Sequence, residues 1–522
     1  MRRILAATVA TATGLVLAGG LTPSSALAHD GGYTPPPISW GQCPTARLQQ
    51  AGAECGLLTV PLDYGKPRGT KIQIAVSRIK HKTANYQGVM LVNPGGPGGS
   101  GLGLATLGGA IPDGVGGDYD WIGFDPRGVG RSVPALTCDE NISAFNRPYY
   151  VPVTHALEKA WLDRTKAYAR ACDRAGGALL DHVKTTDTVA DMDTIRKALG
   201  APKINFYGFS YGTYLGQVYN TLHPDKVRRM VLDGVVNPTR VWYDANLDQD
   251  IQFDKNMDVY FGWIAKYDAV YHLGTTARAV KAKYYATLQK LRTAPIEGKI
   301  GPDEWNDIFV SAGYYVYDWA FIAEAFSAYV NEGDATALLE SYGGPGNDNN
   351  YAMYLATQCT DVQWPISWSK WQRDNWRIHV KHPFITWNNA WYNAPCRWWG
   401  GEVGKPVNVN GKKAPALLLI AETNDAATPF SGAIEVRKRF PRSVLIEGVG
   451  GTTHSGSLSG VACTDDKIAA YLSTGALPTR VPGNRSDVKC DPVPQPDPTE
   501  AAAATLSSGG DSRAAVRAGS RF

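Results

Sequence analysis

The sequence predicts an α/β fold with a mostly parallel central sheet and a large, mainly helical cap insertion. The first observation is an apolar run at 203–207 that leads into a Gly-x-Ser-x-Gly turn and a helix-compatible segment. The second is the continuous apolar run at 88–93, typical of a strand buried on both faces. The third is the stretch 238–405, which is rich in Trp, Tyr, Asp and Asn and too long for one strand-to-helix connection. Its length and composition predict a cap.

The turn at 208–212 is the centre of this fold. Residues 186–199 before it carry apolar side chains at helical spacing, and Gly200 and Pro202 end that helix. Helix, strand, sharp turn and helix in this order indicate the nucleophile elbow of an α/β-hydrolase fold. The sequence therefore predicts Ser210 as a nucleophile at a strand end. The alternative is a Gly-Ser turn without chemistry.

A glycine-rich loop, 94–101, follows the buried strand at 88–93. An α/β-hydrolase places here the loop that supplies one amide of its oxyanion hole. We assign this amide to Gly96, with Gly95 beside it, and the second amide to Tyr211. Each such donor stabilises the transition state by about 3 kcal/mol. The alternative is a flexible loop; a phosphate loop is not indicated, because no Gly-Lys-Ser/Thr follows.

The elements around this loop complete the first half of the sheet. The segments 56–65 and 71–79 alternate apolar and polar residues, which predicts antiparallel strands. A further strand at 120–124 ends in a tight turn that contains Asp125 and Arg127. We expect these two side chains to form a structural ion pair that shapes the turn, rather than to act in catalysis.

An acid and a histidine follow later strands. Asp425 comes after the apolar run at 414–421, and the rival acid, Asp233, ends the preceding core strand. Among nine histidines, His454 alone lies in a glycine-lined loop after the last predicted core strand. The order Ser210, Asp425, His454 is the α/β-hydrolase order. We expect His454 to take the serine proton and Asp425 to orient the imidazole.

Composition limits the partners and the compartment. The net charge of +4 with no block of Lys or Arg indicates neither nucleic acid nor a polyanionic substrate. No His or Cys cluster has zinc-site spacing, so we expect no metal and no cofactor. Eight cysteines after an export signal suggest disulfides between nearest neighbours. The predicted pairs are Cys43–Cys55, Cys138–Cys172, Cys359–Cys396 and Cys463–Cys490.

The N-terminal segment has the features of a signal peptide. An Arg pair precedes an apolar run to residue 21, and Ala-Leu-Ala at 26–28 is a small-x-small cleavage pattern. The run is short and rich in Ala, Thr and Gly, which disfavours the alternative of a membrane anchor. We expect a secreted monomer. Its predicted parts are a signal peptide at 1–28, a hydrolase core at 29–237 and 406–490, a cap at 238–405 and a disordered tail at 491–522.

Several motifs together resemble the secreted tripeptidyl aminopeptidases of streptomycetes, which belong with the proline iminopeptidase group of serine peptidases. The resemblance runs from about residue 40 to 490 and implies release of tripeptides from free N-termini. It also implies a cap acid that receives the substrate ammonium, because an unpaired buried charge is costly. The motifs are 93–101, 125–130, 208–214 and the acid and histidine loops.

The Cys-x-Asp element of that family matches Cys359-Thr360-Asp361 and nominates Asp361 as the amine anchor. The alternative is that Asp361 only supports the disulfide region. Where proline iminopeptidases carry His before the glycines, this chain has Asn93 and Pro94, so it departs from them toward the tripeptidyl branch.

Two other functions stay open from sequence. The same triad and an apolar cap would suit a secreted esterase or lipase-like hydrolase, and a requirement for a free amine would discriminate the two. A noncatalytic relative serving as a binding protein is disfavoured, because Ser210, Asp425 and His454 are all present.

Overall fold

The computed structural model describes residues 32–342 and 348–499. The predicted signal peptide, 1–28, and residues 500–522 of the predicted tail lie outside the described residues. In the described part, ten strands form one sheet. The strands are β1 Gly41–Gln42, β2 Glu54–Pro61, β3 Lys71–Ile79, β4 Val89–Asn93, β5 Asp120–Phe124, β6 Ile204–Phe209, β7 Val227–Asp233, β8 Leu417–Glu422, β9 Ser443–Gly448 and β10 Val488–Cys490.

The sheet is antiparallel at one edge and parallel elsewhere. Its order is β1-β2-β3-β5-β4-β6-β7-β8-β9-β10. The pairs β1 with β2, β2 with β3 and β3 with β5 are antiparallel, and each later pair in that order is parallel. The predicted mostly parallel sheet is therefore confirmed. The short edge strand β10 was not predicted, because three residues with one buried side chain give no periodic signal.

Helices cover the sheet and build most of the insertion. They are α1 Ala46–Gln50, α2 His155–Gly176, α3 Thr185–Ala198, α4 Tyr211–Leu222, α5 Tyr243–Lys266, α6 Asp268–Tyr271, α7 Ala277–Leu291, α8 Pro302–Tyr314, α9 Trp319–Ser327, α10 Thr336–Tyr342, α11 Asn349–Asp361, α12 Trp368–His379, α13 Thr386–Asn393, α14 Ser431–Arg439 and α15 Ala462–Thr474. The predicted helices on either side of β6 correspond to α3 and α4.

The central strands bury both of their faces. Leu91 and Phe206 belong to the apolar core on one side of the sheet, whereas their neighbours Val92 and Tyr207 belong to the core on the other side. All four side chains are fully buried. This explains why β4 and β6 are continuous apolar runs rather than alternating ones.

The insertion has two parts with different cores. Apolar side chains of 253–338 form a separate cluster around Trp305 and Trp319, which also includes Phe384, Ile385, Ala426, Ala427 and Val493. Helices α11 to α13 instead join the core of the sheet domain through Met353, Trp371 and Trp391. The second part of the insertion is therefore fixed against the hydrolase core.

The four predicted disulfides are confirmed. Cys43 pairs with Cys55, Cys138 with Cys172, Cys359 with Cys396 and Cys463 with Cys490. The bond at Cys359 and Cys396 joins the end of α11 to the chain after α13, and the bond at Cys463 and Cys490 joins α15 to β10. Closing these loops restricts the unfolded chain and stabilises the fold.

The predicted ion pair between Asp125 and Arg127 is wrong. The Arg127 guanidinium instead donates two hydrogen bonds to Asp191 of α3, both of 2.7 Å, and neither side chain of this pair is exposed. Asp125 accepts hydrogen bonds from Ser100 Oγ and the Gly101 amide of the glycine loop. The Arg127 side chain therefore connects the turn to α3, and the Asp125 side chain connects it to the glycine loop.

Residues 491–499 do not form a free tail. Val493 is buried and packs in the cap cluster. Trp263 of α5 donates its indole N–H to the Pro496 carbonyl at 2.9 Å. This C-terminal segment, 491–499, therefore connects β10 with the cap.

Candidate active site

Ser210 lies at the sharp turn between β6 and α4. Its backbone has φ 54° and ψ −127°, a conformation that costs a residue with a side chain about 1–3 kcal/mol. Two hydrogen bonds hold the turn. The Ser210 amide donates to the carbonyl of Asp233, at the end of β7, at 2.9 Å, and the Thr213 hydroxyl donates to the Ser210 carbonyl at 2.6 Å. The serine side chain is half-buried and lines a cavity at the end of the sheet.

His454 and Asp425 form a buried pair at the same end of the sheet. The Nδ1 atom of His454 lies 2.8 Å from Oδ2 and 3.0 Å from Oδ1 of Asp425. Asp425 also accepts hydrogen bonds from the amides of Ala427 and Thr428, both at 2.9 Å. These donors hold the carboxylate so that it accepts the Nδ1 proton, which leaves Nε2 as the basic atom.

The imidazole is placed next to the serine turn. The ring of His454 packs against Gly234. The residue before it, Asp233, accepts the hydrogen bond from the Ser210 amide through its backbone carbonyl. The Nε2 atom is buried and has no hydrogen-bond partner among the described residues. A hydrogen bond between nucleophile and base often tightens only when substrate is bound.

Thr428 is a site residue that the sequence analysis missed. Its hydroxyl donates to Oδ2 of Asp425 at 2.8 Å and lies 3.3 Å from Nδ1 of His454. Thr428 also lines the cavity at Ser210. In the sequence, the signal for this contact is a residue with a hydroxyl group three positions after the predicted acid, Asp425.

The rival acid, Asp233, lies beside the pair but does not hydrogen-bond the imidazole. Its Oδ2 atom accepts the Ser457 amide at 2.9 Å. Burial raises the pKa of Asp233 to about 6. Of the two candidate acids, the structure therefore brings Asp425 into contact with His454 and uses Asp233 to hold the loop after His454.

The glycine loop lies against the serine turn, as the oxyanion-hole assignment requires. Gly96 and Tyr211 both line the cavity at Ser210. Within residues 32–342 and 348–499, neither of their amides donates a hydrogen bond. Two such donors beside a nucleophile are able to bind the oxyanion of a tetrahedral intermediate.

Gly95 is expected to tolerate no side chain. Its φ is 96°, and a Cβ atom would lie 2.6 Å from the Phe209 carbonyl and 2.8 Å from the Ser210 Cβ. We predict that Gly95→Ala lowers kcat about 100-fold by displacing the Gly96 amide, and lowers the free energy of unfolding by about 2 kcal/mol. Urea denaturation and initial rates check both values. The control is Gly109→Ala, where a Cβ meets nothing within 4 Å; equal rates for the two variants would contradict the assignment.

The sequence is similar to several known proteins. Residues 88–458 match the model of the α/β-hydrolase fold family. The chain belongs to the α/β-hydrolase family. It is similar to the tripeptidyl aminopeptidase of Streptomyces coelicolor, at 41% identity over 88% of this chain and 87% of the relative. Serine protease Hip1 of Mycobacterium tuberculosis is 29% identical over 85% of this chain and 90% of its own length. Carboxylesterase B of the same species is 30% identical over 85% and 89%.

The hydrolase has two adjoining cavities beneath its cap. The cavity at Ser210 is small, about 80 Å³, and includes Trp242 and Tyr354 of the insertion in its wall. A second cavity of about 740 Å³ shares Tyr314, Asn350 and Tyr392 with it. The larger cavity adjoins the cavity that Ser210 lines, and its volume is in the range of small-molecule binding sites.

The wall of the larger cavity is aromatic and acidic. Its aromatic residues include Tyr150, Trp161 and Tyr351. Its described lining contains one cation, Arg147, and the carboxylates of Asp307, Asp318, Glu340 and Asp348. Arg147 is already paired with Asp307. The excess of carboxylates favours a positively charged group in this cavity.

Asp361 is not in the described lining of either cavity. Its carboxylate accepts the Thr185 amide at 2.6 Å, the Thr185 hydroxyl at 2.7 Å and the Trp242 indole N–H at 3.1 Å. The Thr185 hydroxyl is also 2.8 Å from the Tyr211 hydroxyl. Burial raises the pKa of Asp361 to about 6. Asp361 therefore contacts Trp242 directly and Tyr211 through Thr185, and Trp242 and Tyr211 line the cavity at Ser210.

Within the described ranges, no helix has both the length and the apolar character needed to cross a bilayer. In the same ranges, no group of three or more His, Cys, Asp or Glu side chains could hold a metal ion.

Proposed function

We propose that this α/β-hydrolase is a secreted serine exopeptidase that releases tripeptides from free N-termini. The observation that carries the proposal is the buried, hydrogen-bonded pair of His454 and Asp425, whose imidazole packs against Gly234 next to the turn of Ser210. Ser210 itself lines the cavity under the cap. The similarity to tripeptidyl aminopeptidases over most of both chains supports the choice of substrate. Four disulfides support export to an oxidising compartment.

The proposed reaction is acyl transfer through a covalent intermediate. Ser210 attacks the carbonyl carbon of the third peptide bond while His454 Nε2 takes its proton, and Asp425 stabilises the imidazolium. The amides of Gly96 and Tyr211 bind the oxyanion. His454 then gives the proton to the leaving amine, and water, deprotonated by the same imidazole, hydrolyses the acyl-enzyme.

The acyl side of the substrate is proposed to occupy the larger cavity. A tripeptide needs more room than the cavity of about 80 Å³ at Ser210 offers. The adjoining cavity offers about 740 Å³ and carboxylates that would offset the desolvation of an α-ammonium group. Asp318 and Glu340 are therefore better placed than Asp361 to meet the amine. For Asp361 we propose the supporting role.

We predict that a tripeptide p-nitroanilide with a free amine is cleaved at least about 100-fold faster than its N-acetylated twin, measured as kcat/KM. The reason is that acetylation removes the positive charge that the acidic cavity would attract, and a 100-fold difference in kcat/KM corresponds to about 3 kcal/mol. The control is Ser210→Ala, which should cleave neither compound. Equal rates for the two peptides would overturn the exopeptidase proposal.

The second candidate function is a carboxylesterase, which the similarity to Carboxylesterase B favours. The triad alone does not distinguish the two, because it attacks esters and amides alike. Turnover of a p-nitrophenyl ester together with failure to cleave either p-nitroanilide would establish the esterase instead.

A further inference from the structure

Glu422 is a buried carboxyl that the proposed reaction does not use. It is the last residue of β8, three positions before Asp425, and its residue is 5% exposed. Its Oε2 accepts the amide of Thr453, the residue before His454, and its Oε1 accepts the amide of Val493 at 2.7 Å. One carboxyl therefore joins β8, the loop that carries His454 and the C-terminal segment.

The loop that carries His454 and the C-terminal segment both pack tightly around the Glu422 carboxyl group. A Cβ atom on Gly451 would lie 2.4 Å from the Glu422 carboxyl carbon and 2.6 Å from Pro492. On the other side, a Cβ atom on Gly456 would lie 2.8 Å from Val493. The loop that carries His454 thus wraps around Glu422, and the C-terminal segment holds it from outside.

We propose that Glu422 is a positioning residue for His454. Its carboxylate fixes the backbone directly before the imidazole, and it ties that backbone to the C-terminal segment, which the cap holds through Trp263. The inference rests on the proposed function, since it assigns Glu422 a role only if His454 is the general base.

The geometry favours the ionised form of Glu422. Each of its oxygens accepts an amide N–H, and a charged carboxylate is a stronger acceptor for both donors than the neutral acid. Burial raises the pKa of Glu422 to about 8; the amides of Val493 and Thr453 lower it, and the charges of Asp425 and Asp233 raise it. Activity is therefore expected to increase with pH as Glu422 loses its proton near pH 8. Other titratable groups on the packed elements are His454, Glu447 of β9 and Asp491 of the C-terminal segment.

The test compares Glu422→Gln with the control Glu447→Gln in the full chain. The Glu447 carboxylate lies on the neighbouring strand but accepts the hydroxyls of Thr423 and Ser486 rather than the amides of the His454 loop. We expect Glu422→Gln to lower kcat at pH 8.5 roughly 10- to 100-fold with KM within about twofold, because its NH₂ group opposes an amide donor. The increase in kcat near pH 8 should vanish in this variant alone.

The rate at which a small fluorophosphonate labels Ser210 separates this inference from the proposed function. Labelling should slow by the same factor as kcat in Glu422→Gln, whatever the acyl donor of the enzyme. Wild-type kcat and an unchanged pH profile in Glu422→Gln would overturn the inference. Failure of the wild-type protein to react at Ser210 would overturn the proposed function, and with it the role of Glu422.

A second variant keeps the inference testable if Glu422→Gln does not fold. Val493→Pro removes one amide donor and leaves the carboxyl in place. Because that donor lowers the pKa of Glu422, the pH midpoint of kcat should move upward. A midpoint equal to that of the wild type would contradict the proposed link.

Discussion

Ser210→Ala is expected to lower kcat for a free-amine tripeptide p-nitroanilide by about 10⁶-fold. The side chain lies at the strained turn after β6, and among the described residues that line its cavity the other serine and threonine side chains are Ser431 and Thr428. Removing the nucleophile removes the whole triad effect, and only the oxyanion hole and binding remain. The measurement is kcat under single-turnover and steady-state conditions, with folding checked by circular dichroism.

Ser431→Ala is the matched control, because Ser431 lines the same cavity from the first residue of α14. We expect its kcat to stay within about threefold of the wild type, since Ser431 is exposed and the proposed reaction assigns it no role. A large residual rate in Ser210→Ala, or a collapse of activity in Ser431→Ala, would contradict the assignment of the nucleophile.

The placement of the candidate groups at one end of the sheet could be predicted, because each group follows a strand with a clear apolar signal. Ser210 follows β6, Asp425 follows β8 and His454 follows β9. The carboxyl ends of parallel strands meet at one edge of the sheet, so order along the chain is enough to bring these groups together. Local turn chemistry adds Gly96 and Tyr211 in the same way.

Contacts between distant segments could not be predicted. Arg127 and Asp191 are 64 residues apart, and nothing local distinguishes Asp191 from other polar positions of α3 as the partner. The same holds for Asp361, because its donors Thr185 and Trp242 are 176 and 119 residues away along the chain. Side-chain partners of this kind are decided by tertiary packing, which periodicity does not contain.

The insertion is the part of the fold whose internal arrangement the sequence predicted in least detail. Its Trp-dense region looked like one cap, yet Trp371 and Trp391 join the core of the sheet domain while Trp305 and Trp319 form a separate one. The larger cavity lies between these two parts, because residues of both, such as Ile322 and Trp391, line it. That space is a property of helix packing angles rather than of composition.

Asp425→Asn is expected to lower kcat about 10⁴-fold with little change in KM. The Asp425 oxygens lie 2.8 and 3.0 Å from Nδ1 of His454, so the amide nitrogen of an Asn there would present a donor and favour the wrong imidazole tautomer. The matched variant is Asp233→Asn, which keeps an acceptor for the Ser457 amide. Its kcat should fall less than about tenfold, because Asp233 holds a loop and makes no hydrogen bond to the imidazole.

The comparison of these two variants decides which carboxylate serves the histidine. Both carboxyl groups are buried at the same end of the sheet, and each becomes neutral when Asp is replaced by Asn. If Asp233→Asn proved the more damaging, the acid at the end of β7 would be the functional partner and the contact with Asp425 a structural one. If Asp425→Asn is the more damaging, as the distances require, fluorophosphonate labelling of Ser210 should slow in parallel with kcat, because the same tautomer activates the serine in both reactions.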